Sequence, residues 1–89
     1  MKAVVYTKED CQFCERVKHL LGKLEIEYLE YKYKSDFTRD QFYKEFGEGA
    51  TFPQVAIDAK HIGGCKETLN YFKTLNLFWY GRKIRSNFN

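Results

Sequence analysis

The sequence predicts an α/β domain in which helices flank a four-stranded mixed sheet, with the element order βαβαββα. Two observations lead to this prediction. Short apolar runs, typical of buried strands, alternate along the 89 residues with segments whose apolar residues recur at helical spacing. Strand–helix–strand units indicate parallel pairing with a right-handed crossover, whereas the tight turn after Ile57 indicates an antiparallel hairpin.

The first half of the chain predicts a strand, a helix and a second strand. Residues 3–6, Ala-Val-Val-Tyr, form a short apolar run with the β-branched character of a buried strand. From Cys11 onward, apolar residues occur at i, i+3, i+4 and i+7, and Asp10 is expected as the N-cap of this amphipathic helix. These residues are Val17, Leu20, Leu21 and Leu24. Residues 28–31, Tyr-Leu-Glu-Tyr, predict the second strand.

The second half predicts a helix, a hairpin and a last helix. Residues 38–41, Thr-Arg-Asp-Gln, have the spacing of a capping box, so a helix is expected from there to residues 47–49. Residues 54–57 and 61–62 predict the two strands of the hairpin, and the glycines at 63–64 separate it from the last helix. The apolar stripes of the two helices are Phe42, Tyr43 and Phe46, and Leu69, Phe72 and Leu75.

Composition and charge exclude several classes of function. The chain is 44% hydrophobic and 18% aromatic, with six Gly and one Pro, which is typical of a packed domain without a low-complexity linker. The net charge of +3 is mild, so binding to nucleic acid is not expected. The apolar run near the N-terminus is too short for a signal peptide, and no segment has the length of a membrane span. We therefore expect a cytoplasmic monomer with no membrane partner.

Residues 1–77 are expected to form the domain, and residues 78–89 a basic and aromatic extension of it. The extension contains three basic and four aromatic residues and no acid: Arg82, Lys83, Arg85, Phe78, Trp79, Tyr80 and Phe88. The favoured interpretation is a segment that packs on the domain or frays from it. A module that binds nucleic acid or a partner protein is the alternative.

An odd number of cysteines, three, disfavours a secreted disulfide framework and draws attention to the Cys-Gln-Phe-Cys segment at residues 11–14. This segment lies where a predicted strand gives way to a predicted helix. Unpaired N–H groups and the helix dipole favour a thiolate there, so the pKa of Cys11 is expected to fall. Lys8 adds positive charge, whereas the two acids just before Cys11 oppose the thiolate. Cys14, one turn further in, is expected to be sheltered and to resolve the disulfide that Cys11 forms.

A zinc site is the alternative for these cysteines. His61 and Cys65 would complete a set of three thiolates and one imidazole. Compact structural zinc sites usually take their ligands in pairs from short loops, whereas most of the chain separates these two pairs. Redox chemistry is therefore favoured, and no metal is expected.

Four short segments, in the order of the predicted elements, resemble the glutaredoxin family over nearly the whole chain. They are Tyr6-Thr7-Lys8, Cys11-Gln12-Phe13-Cys14, Thr51-Phe52-Pro53 and Gly63-Gly64-Cys65. The resemblance implies a thioredoxin-like fold in which the Phe52–Pro53 peptide bond is cis. It also implies that the backbone of Phe52 lies beside Cys11 and pairs with the main chain of a glutathionyl group.

The resemblance further implies glutathione as the co-substrate and assigns residues to it. Lys8 would pair with the glycine carboxylate, helped by Arg39 or, as the less favoured choice, Gln41. The γ-glutamyl end would rest on the backbone N–H groups of Cys65 and Lys66 at the start of the last helix. The full set of implied glutathione-binding residues is Lys8, Phe13, Arg39, Thr51, Phe52, Pro53, Gly64, Cys65 and Lys66.

The residues that directly follow the glycine pair, at positions 65–67, lead to two further expectations. Family members often carry an acid after the cysteine that ends the Gly-Gly-Cys segment, but this chain has Lys66 there, so Glu67 is the expected substitute. Cys65 is expected to be a small residue at a helix start rather than a third redox thiol.

The implied function is reduction of protein disulfides and of protein–glutathione mixed disulfides by a dithiol pair, with Cys11 as nucleophile and Cys14 as resolving thiol. Two alternatives use related chemistry. One is a redoxin that receives electrons from a flavoprotein reductase and passes them to ribonucleotide reductase. The other is an iron–sulfur carrier in which Cys11 and glutathione ligate a cluster between two protomers.

Overall fold

The computed structural model describes residues 1–75, which form four strands and three helices. The elements are β1 (Lys2–Thr7), α1 (Gln12–Lys23), β2 (Glu27–Lys32), α2 (Arg39–Phe46), β3 (Gln54–Ile57), β4 (Lys60–Gly63) and α3 (Cys65–Thr74). The sheet order is β2-β1-β3-β4, with β1 parallel to β2 and antiparallel to β3, and β3 antiparallel to β4. The predicted fold class and element order are confirmed. The predicted extension, residues 78–89, lies outside the described residues.

The central strand β1 divides the molecule into two layers because its side chains alternate between the faces of the sheet. Ala3, Val5 and Thr7 are fully buried, whereas Val4 and Tyr6, on the other face, are only partly buried. The first face packs against α1 and α3 in a core that is aliphatic except for one phenylalanine. This core consists of Ala3, Val5, Val17, Leu21, Val55, Ile57 and Phe72.

Aromatic side chains fill the layer between the other sheet face and α2. The ring of Tyr6 lies 4.9 Å from that of Phe46 in an edge-on contact, centroid to centroid. Phe42, which is 2% exposed, stacks on Phe52 with centroids 4.2 Å apart. Such ring pairs add to the free energy gained from burial alone. The aromatic stripe that the sequence predicts for α2 therefore fixes the loop before β3, which carries Phe52, against the sheet.

The two helix starts differ in how well the sequence predicts them. At α2 the predicted capping box is confirmed: Thr38 Oγ1 accepts the Gln41 N–H at 3.2 Å, and Gln41 Oε1 accepts the Thr38 N–H at 2.8 Å. At α1 the prediction of Asp10 as N-cap is wrong. Cys11 is the N-cap, and Asp10 has a left-handed backbone with φ of 55° in the turn before it. Asparagine and aspartate tolerate that conformation better than most residues. Asp10 is therefore part of the turn before α1 and does not cap the helix.

Candidate active site

The Cys11–Cys14 segment begins α1, directly after the loop that leaves β1. Cys11 Sγ accepts the backbone N–H of Cys14 at 3.1 Å, and the two cysteines form a disulfide with their Cα atoms 5.2 Å apart. Cys14 is fully buried, whereas Cys11 is partly exposed. The sequence prediction that Cys14 is the sheltered thiol is therefore confirmed. A sulfur that caps a helix N-terminus receives an N–H donor and the positive end of the dipole, and both favour a thiolate.

A groove of about 240 Å³ lies beside this cysteine pair. It gathers residues from three separate parts of the chain: the start of α1, the loop before β3, and the N-terminal turn of α3. Its lining residues are Phe13, Thr51, Phe52, Pro53, Gly64, Cys65, Lys66 and Glu67. The Phe52–Pro53 peptide bond is cis, as the family resemblance implies. Seven of the nine residues expected to bind glutathione thus share one surface.

Lys8 and Arg39 do not line the groove. Lys8 follows β1, and its Nζ lies 5.7 Å from the centroid of the Phe52 ring, at the edge of the groove. Arg39 is the exposed first residue of α2. Gln41, the weaker candidate, uses its side-chain oxygen in the α2 capping box. Of the three side chains considered for the glycine carboxylate, Lys8 is therefore the one placed in contact with a groove residue.

The N-terminus of α3 forms one wall of the groove. Gly64 is the N-cap, and its N–H donates to Glu67 Oε1 at 2.9 Å. The N–H groups of the first helical turn have no acceptor within the helix, so those of Cys65 and Lys66 remain available to a ligand. A Cβ atom at Gly64 would lie 3.3 Å from Glu67 Oε1 and 3.4 Å from the Pro53 carbonyl oxygen. Glycine at this position therefore keeps the narrow part of the groove clear.

The third cysteine, Cys65, lies in the groove as a free thiol. Burial raises its pKa above the ordinary value; the charge of Arg16 opposes this rise and the carboxylate of Glu67 adds to it. The raised pKa keeps Cys65 in the less nucleophilic thiol form. This direction favours the interpretation of Cys65 as a small residue at a helix start.

A polar cluster beneath the active-site end of β1 was not predicted from the sequence. Glu30 Oε2 accepts hydrogen bonds from Thr7 Oγ1 at 2.7 Å and from Lys18 Nζ at 3.1 Å, and Lys18 also pairs with Glu15 at 3.0 Å. Burial alone would raise the pKa of Glu30, but these two bonds and the nearby lysine charges outweigh it and hold the pKa below its ordinary value. The only sequence signal is a charged residue in the apolar run Tyr-Leu-Glu-Tyr.

We expect Glu30→Gln to destabilise the fold by about 1–2 kcal/mol near neutral pH, because the amide keeps an acceptor but loses the charge that strengthens both bonds. A carboxylate whose pKa is lowered by folding adds stability above its ordinary pKa, and this stability is lost as the pH falls through the folded value. The difference between wild type and variant should therefore shrink in acid. Urea unfolding between pH 3 and pH 7 measures it.

Glu27→Gln is the matched control for this prediction, because Glu27 is exposed on the same strand. It should change the free energy of unfolding by less than about 0.5 kcal/mol at every pH. Equal effects of the two substitutions would contradict a structural role for the Glu30 carboxylate.

Residues 1–75 contain no set of ligands for the zinc site that was considered as the alternative. No three side chains among His, Cys, Asp and Glu in that part of the chain are arranged to hold a metal ion. His61 instead lies on β4 with its Nε2 3.1 Å from Glu45 Oε2 and its ring against Phe46. Within the same residues, no helix has the length and apolar character needed to cross a bilayer.

Comparisons with known proteins agree with this geometry. A family model described as Glutaredoxin matches residues 3–62, a span that includes the Cys11–Cys14 pair and Pro53. Over 70 residues the chain is 37% identical to glutaredoxin 1 of Rickettsia typhi, covering 75% of this chain and 66% of that protein. Over 64 residues it is 39% identical to glutaredoxin 3 of Escherichia coli K12, covering 71% and 76%. A solved buckwheat glutaredoxin–glutathione complex matches with a TM-score of 0.67 at 27% identity, over 89% of this chain and 77% of the other.

Proposed function

The chain belongs to the glutaredoxin family and has its thioredoxin-like fold, and from this premise we propose that it is a glutathione-dependent thiol–disulfide oxidoreductase. Its proposed substrates are protein–glutathione mixed disulfides and protein disulfides. One observation carries the proposal: Cys11 Sγ caps the N-terminus of α1, and the residue two positions after it, Phe13, lines the groove that ends at α3. The nucleophile and the proposed glutathione site are thus adjacent. A reducing compartment such as the cytoplasm is the proposed place of action.

In the first half of the proposed reaction, the Cys11 thiolate attacks the glutathione sulfur of a mixed disulfide. A Cys11–glutathione disulfide forms, the original disulfide breaks, and the protein thiol leaves with the electron pair and takes up a proton. In the second half, the thiolate of another glutathione attacks the glutathione sulfur held by Cys11. Glutathione disulfide leaves and the Cys11 thiolate is restored. The cap on the Cys11 sulfur assists because it lowers the cost of the thiolate both as attacking and as leaving group.

Two parts of the groove and one residue at its edge are proposed to hold glutathione. The backbone of Phe52, presented by the loop with the cis bond, pairs with its main chain as an added strand does. The N–H groups of Cys65 and Lys66 receive the γ-glutamyl carboxylate at a helix N-terminus. Lys8, beside the Phe52 ring, meets the glycine carboxylate at the opposite end. A lysine ammonium at one end and the N–H groups of a helix N-terminus at the other suit a ligand that carries a carboxylate at each end.

Cys14 is proposed to act only on protein disulfides. Such a substrate leaves Cys11 joined to a protein chain, and a second thiol must release it. Cys14 is fully buried one helical turn from Cys11 and already forms a disulfide with it in this structure. A mixed disulfide with glutathione needs no such step, because free glutathione completes the cycle.

The choice of reductant tests this proposal against the alternatives. Wild-type protein should reduce the mixed disulfide of glutathione and 2-mercaptoethanol when glutathione, glutathione reductase and NADPH are supplied. A reductase-linked redoxin would instead turn over with a flavoprotein thioredoxin reductase and be silent with glutathione. An iron–sulfur carrier would be purified with visible colour. Absence of any glutathione-dependent turnover would overturn the proposed function.

For Lys8 we expect the substitution Lys8→Gln to raise the KM for glutathione about fivefold, with a smaller effect on kcat, because one exposed charge pair with the ligand is lost. Steady-state kinetics with varied glutathione measures this. Lys23→Gln removes the same unit of charge from the far end of α1 and should leave KM unchanged. Equal rises in KM for the two variants would mean that net charge, and not a contact of Lys8, determines binding.

A further inference from the structure

A second cavity, about 250 Å³ in volume, lies between α2 and the end of β2, outside the glutathione groove. Its lining consists of three aromatic rings, two carboxylates and one amide: Tyr6, Tyr31, Phe37, Asp36, Glu45 and Gln41. No lysine or arginine is among them. Phe37 joins the two sites, because it lines this cavity and also stacks on Phe52, with centroids 6.0 Å apart. We call this cavity the α2 pocket.

The two carboxylates give the α2 pocket a negative charge, and within the protein only one oxygen of each carboxylate has a polar partner among residues 1–75. Asp36 Oδ2 accepts the Lys32 N–H at 2.7 Å, and Glu45 Oε2 pairs with His61 Nε2 at 3.1 Å. The second oxygen of each carboxylate has no hydrogen-bond partner within residues 1–75. Burial first, and then the Glu45 charge, raise the pKa of Tyr6, so the Tyr6 phenol is neutral and close enough to sense that carboxylate.

The rings complete a surface that suits a planar cation. Tyr6 lies 5.5 Å from Tyr31 and 5.5 Å from Phe37, centroid to centroid, with interplanar angles of 45° and 70°. Ring faces carry negative potential and attract ammonium and guanidinium groups. A guanidinium is the better match to a site with both ring faces and carboxylates, because it stacks on rings and pairs with a carboxylate through two N–H groups.

The size and position of the α2 pocket indicate what kind of molecule carries the cation that would bind there. The pocket, about 250 Å³ in volume, has room for one arginine side chain. On the same face of β2, Tyr31 is 37% exposed and Leu29 is 52% exposed, which provides an apolar surface beside the pocket. Within residues 1–75, β2 is also an edge strand that pairs only with β1. These features fit a protein partner.

We propose that the α2 pocket binds an arginine side chain of the protein substrates that react at Cys11. The identification of the partner as a substrate rests on the proposed function; the recognition of arginine by the pocket does not. Because Phe37 forms a wall of one site and contacts a wall of the other, an arginine near the reacting cysteine of a substrate can occupy the pocket while its disulfide reaches Cys11. The pocket then selects among protein substrates without touching glutathione.

An NMR titration of the full 89-residue chain tests the proposal. The probe is N-acetylarginine methylamide, and its matched control is the citrulline derivative, which has nearly the same shape and no charge. We expect the arginine probe to shift the resonances of Tyr31, Phe37 and Gln41 more than those of Phe13 and Gly64. It should bind about fivefold more tightly than the citrulline probe. Equal binding of the two probes, or shifts confined to the glutathione groove, would overturn the proposal.

Two substitutions separate the charge of the pocket from the contact between Glu45 and His61. Glu45→Gln removes the carboxylate, and we expect it to weaken binding of the arginine probe about fivefold. His61→Gln removes the imidazole that contacts Glu45 but leaves the carboxylate, so probe binding should be at least as strong as in wild type. Both variants should reduce the small glutathione mixed disulfide at the wild-type rate. If Glu45→Gln binds the arginine probe as tightly as the wild-type protein does, the proposal is overturned. If the wild-type protein binds the probe but has no glutathione-dependent turnover, only the proposed function is overturned.

Discussion

Replacement of Cys11 by serine should lower glutathione-dependent reduction of a small mixed disulfide by about three orders of magnitude or more, while Cys14→Ser retains most of it. A serine hydroxyl is not ionised near neutral pH and forms no disulfide, so neither half of the proposed reaction can proceed without the Cys11 sulfur. Cys14 is buried, and in the proposed reaction it takes no part when glutathione itself completes the cycle. Initial rates with the glutathione–mercaptoethanol disulfide measure both variants.

The same pair of variants separates the two kinds of substrate. With a protein disulfide in place of the small one, Cys14→Ser should also be inactive or accumulate a mixed disulfide through Cys11, because no second thiol releases the substrate. Cys65→Ser is the control: it keeps the backbone N–H that is proposed to hold glutathione and removes only a thiol whose raised pKa keeps it un-ionised, so it should release the protein substrate as wild type does. Retention of activity by Cys11→Ser, with loss in Cys14→Ser, would reverse the roles assigned to the two cysteines.

Most of the fold could be predicted because each element has a local signal. The apolar, β-branched run of β1, the i, i+3, i+4, i+7 spacing in α1 and the capping box at Thr38 all depend on near neighbours in the sequence. The start of α1 could not be predicted as well, because aspartate and cysteine compete for the N-cap and the preceding turn decides between them. Asp10 takes the left-handed position in that turn, which leaves Cys11 as the cap.

The residues of the site could be predicted only in part, for a different reason. Residue patterns and a family resemblance are enough to group Phe13, the Pro53 loop and the start of α3. The Thr7–Glu30–Lys18 cluster and the α2 pocket unite residues that are distant in sequence and have common surface residue types. From the sequence alone, a carboxylate at position 30 or 45 is expected to be a solvated surface charge. Only the packing of neighbouring elements shows that a hydrogen-bond donor or an aromatic ring lies beside it.

The glycine at position 63 serves both the fold and the site, and Gly63→Ala should destabilise the protein by about 2–4 kcal/mol. Gly63 has φ of 127°, a conformation that residues with a side chain rarely adopt, and it lies where β4 passes into α3. A Cβ atom there would come within 2.9 Å of Glu67 Cβ and Cγ, so the first turn of α3 must move. That turn carries the N–H groups proposed to hold glutathione, and we therefore also expect a higher KM for glutathione in the folded fraction.

Gly22→Ala is the matched comparison, because Gly22 lies in α1 and, apart from the adjoining backbone of that helix, nothing lies within 4 Å of the position its Cβ would take. It should stabilise the protein by about 0.5–1 kcal/mol, since glycine in a helix costs more backbone entropy than alanine, and leave KM unchanged. Urea unfolding and steady-state kinetics measure both effects for each variant. A destabilised Gly63→Ala with wild-type KM would mean that α3 keeps its place at the groove and the strain is absorbed in β4. Wild-type stability of Gly63→Ala would mean that the transition from β4 to α3 tolerates a side chain, which would contradict the steric conflict expected between position 63 and Glu67.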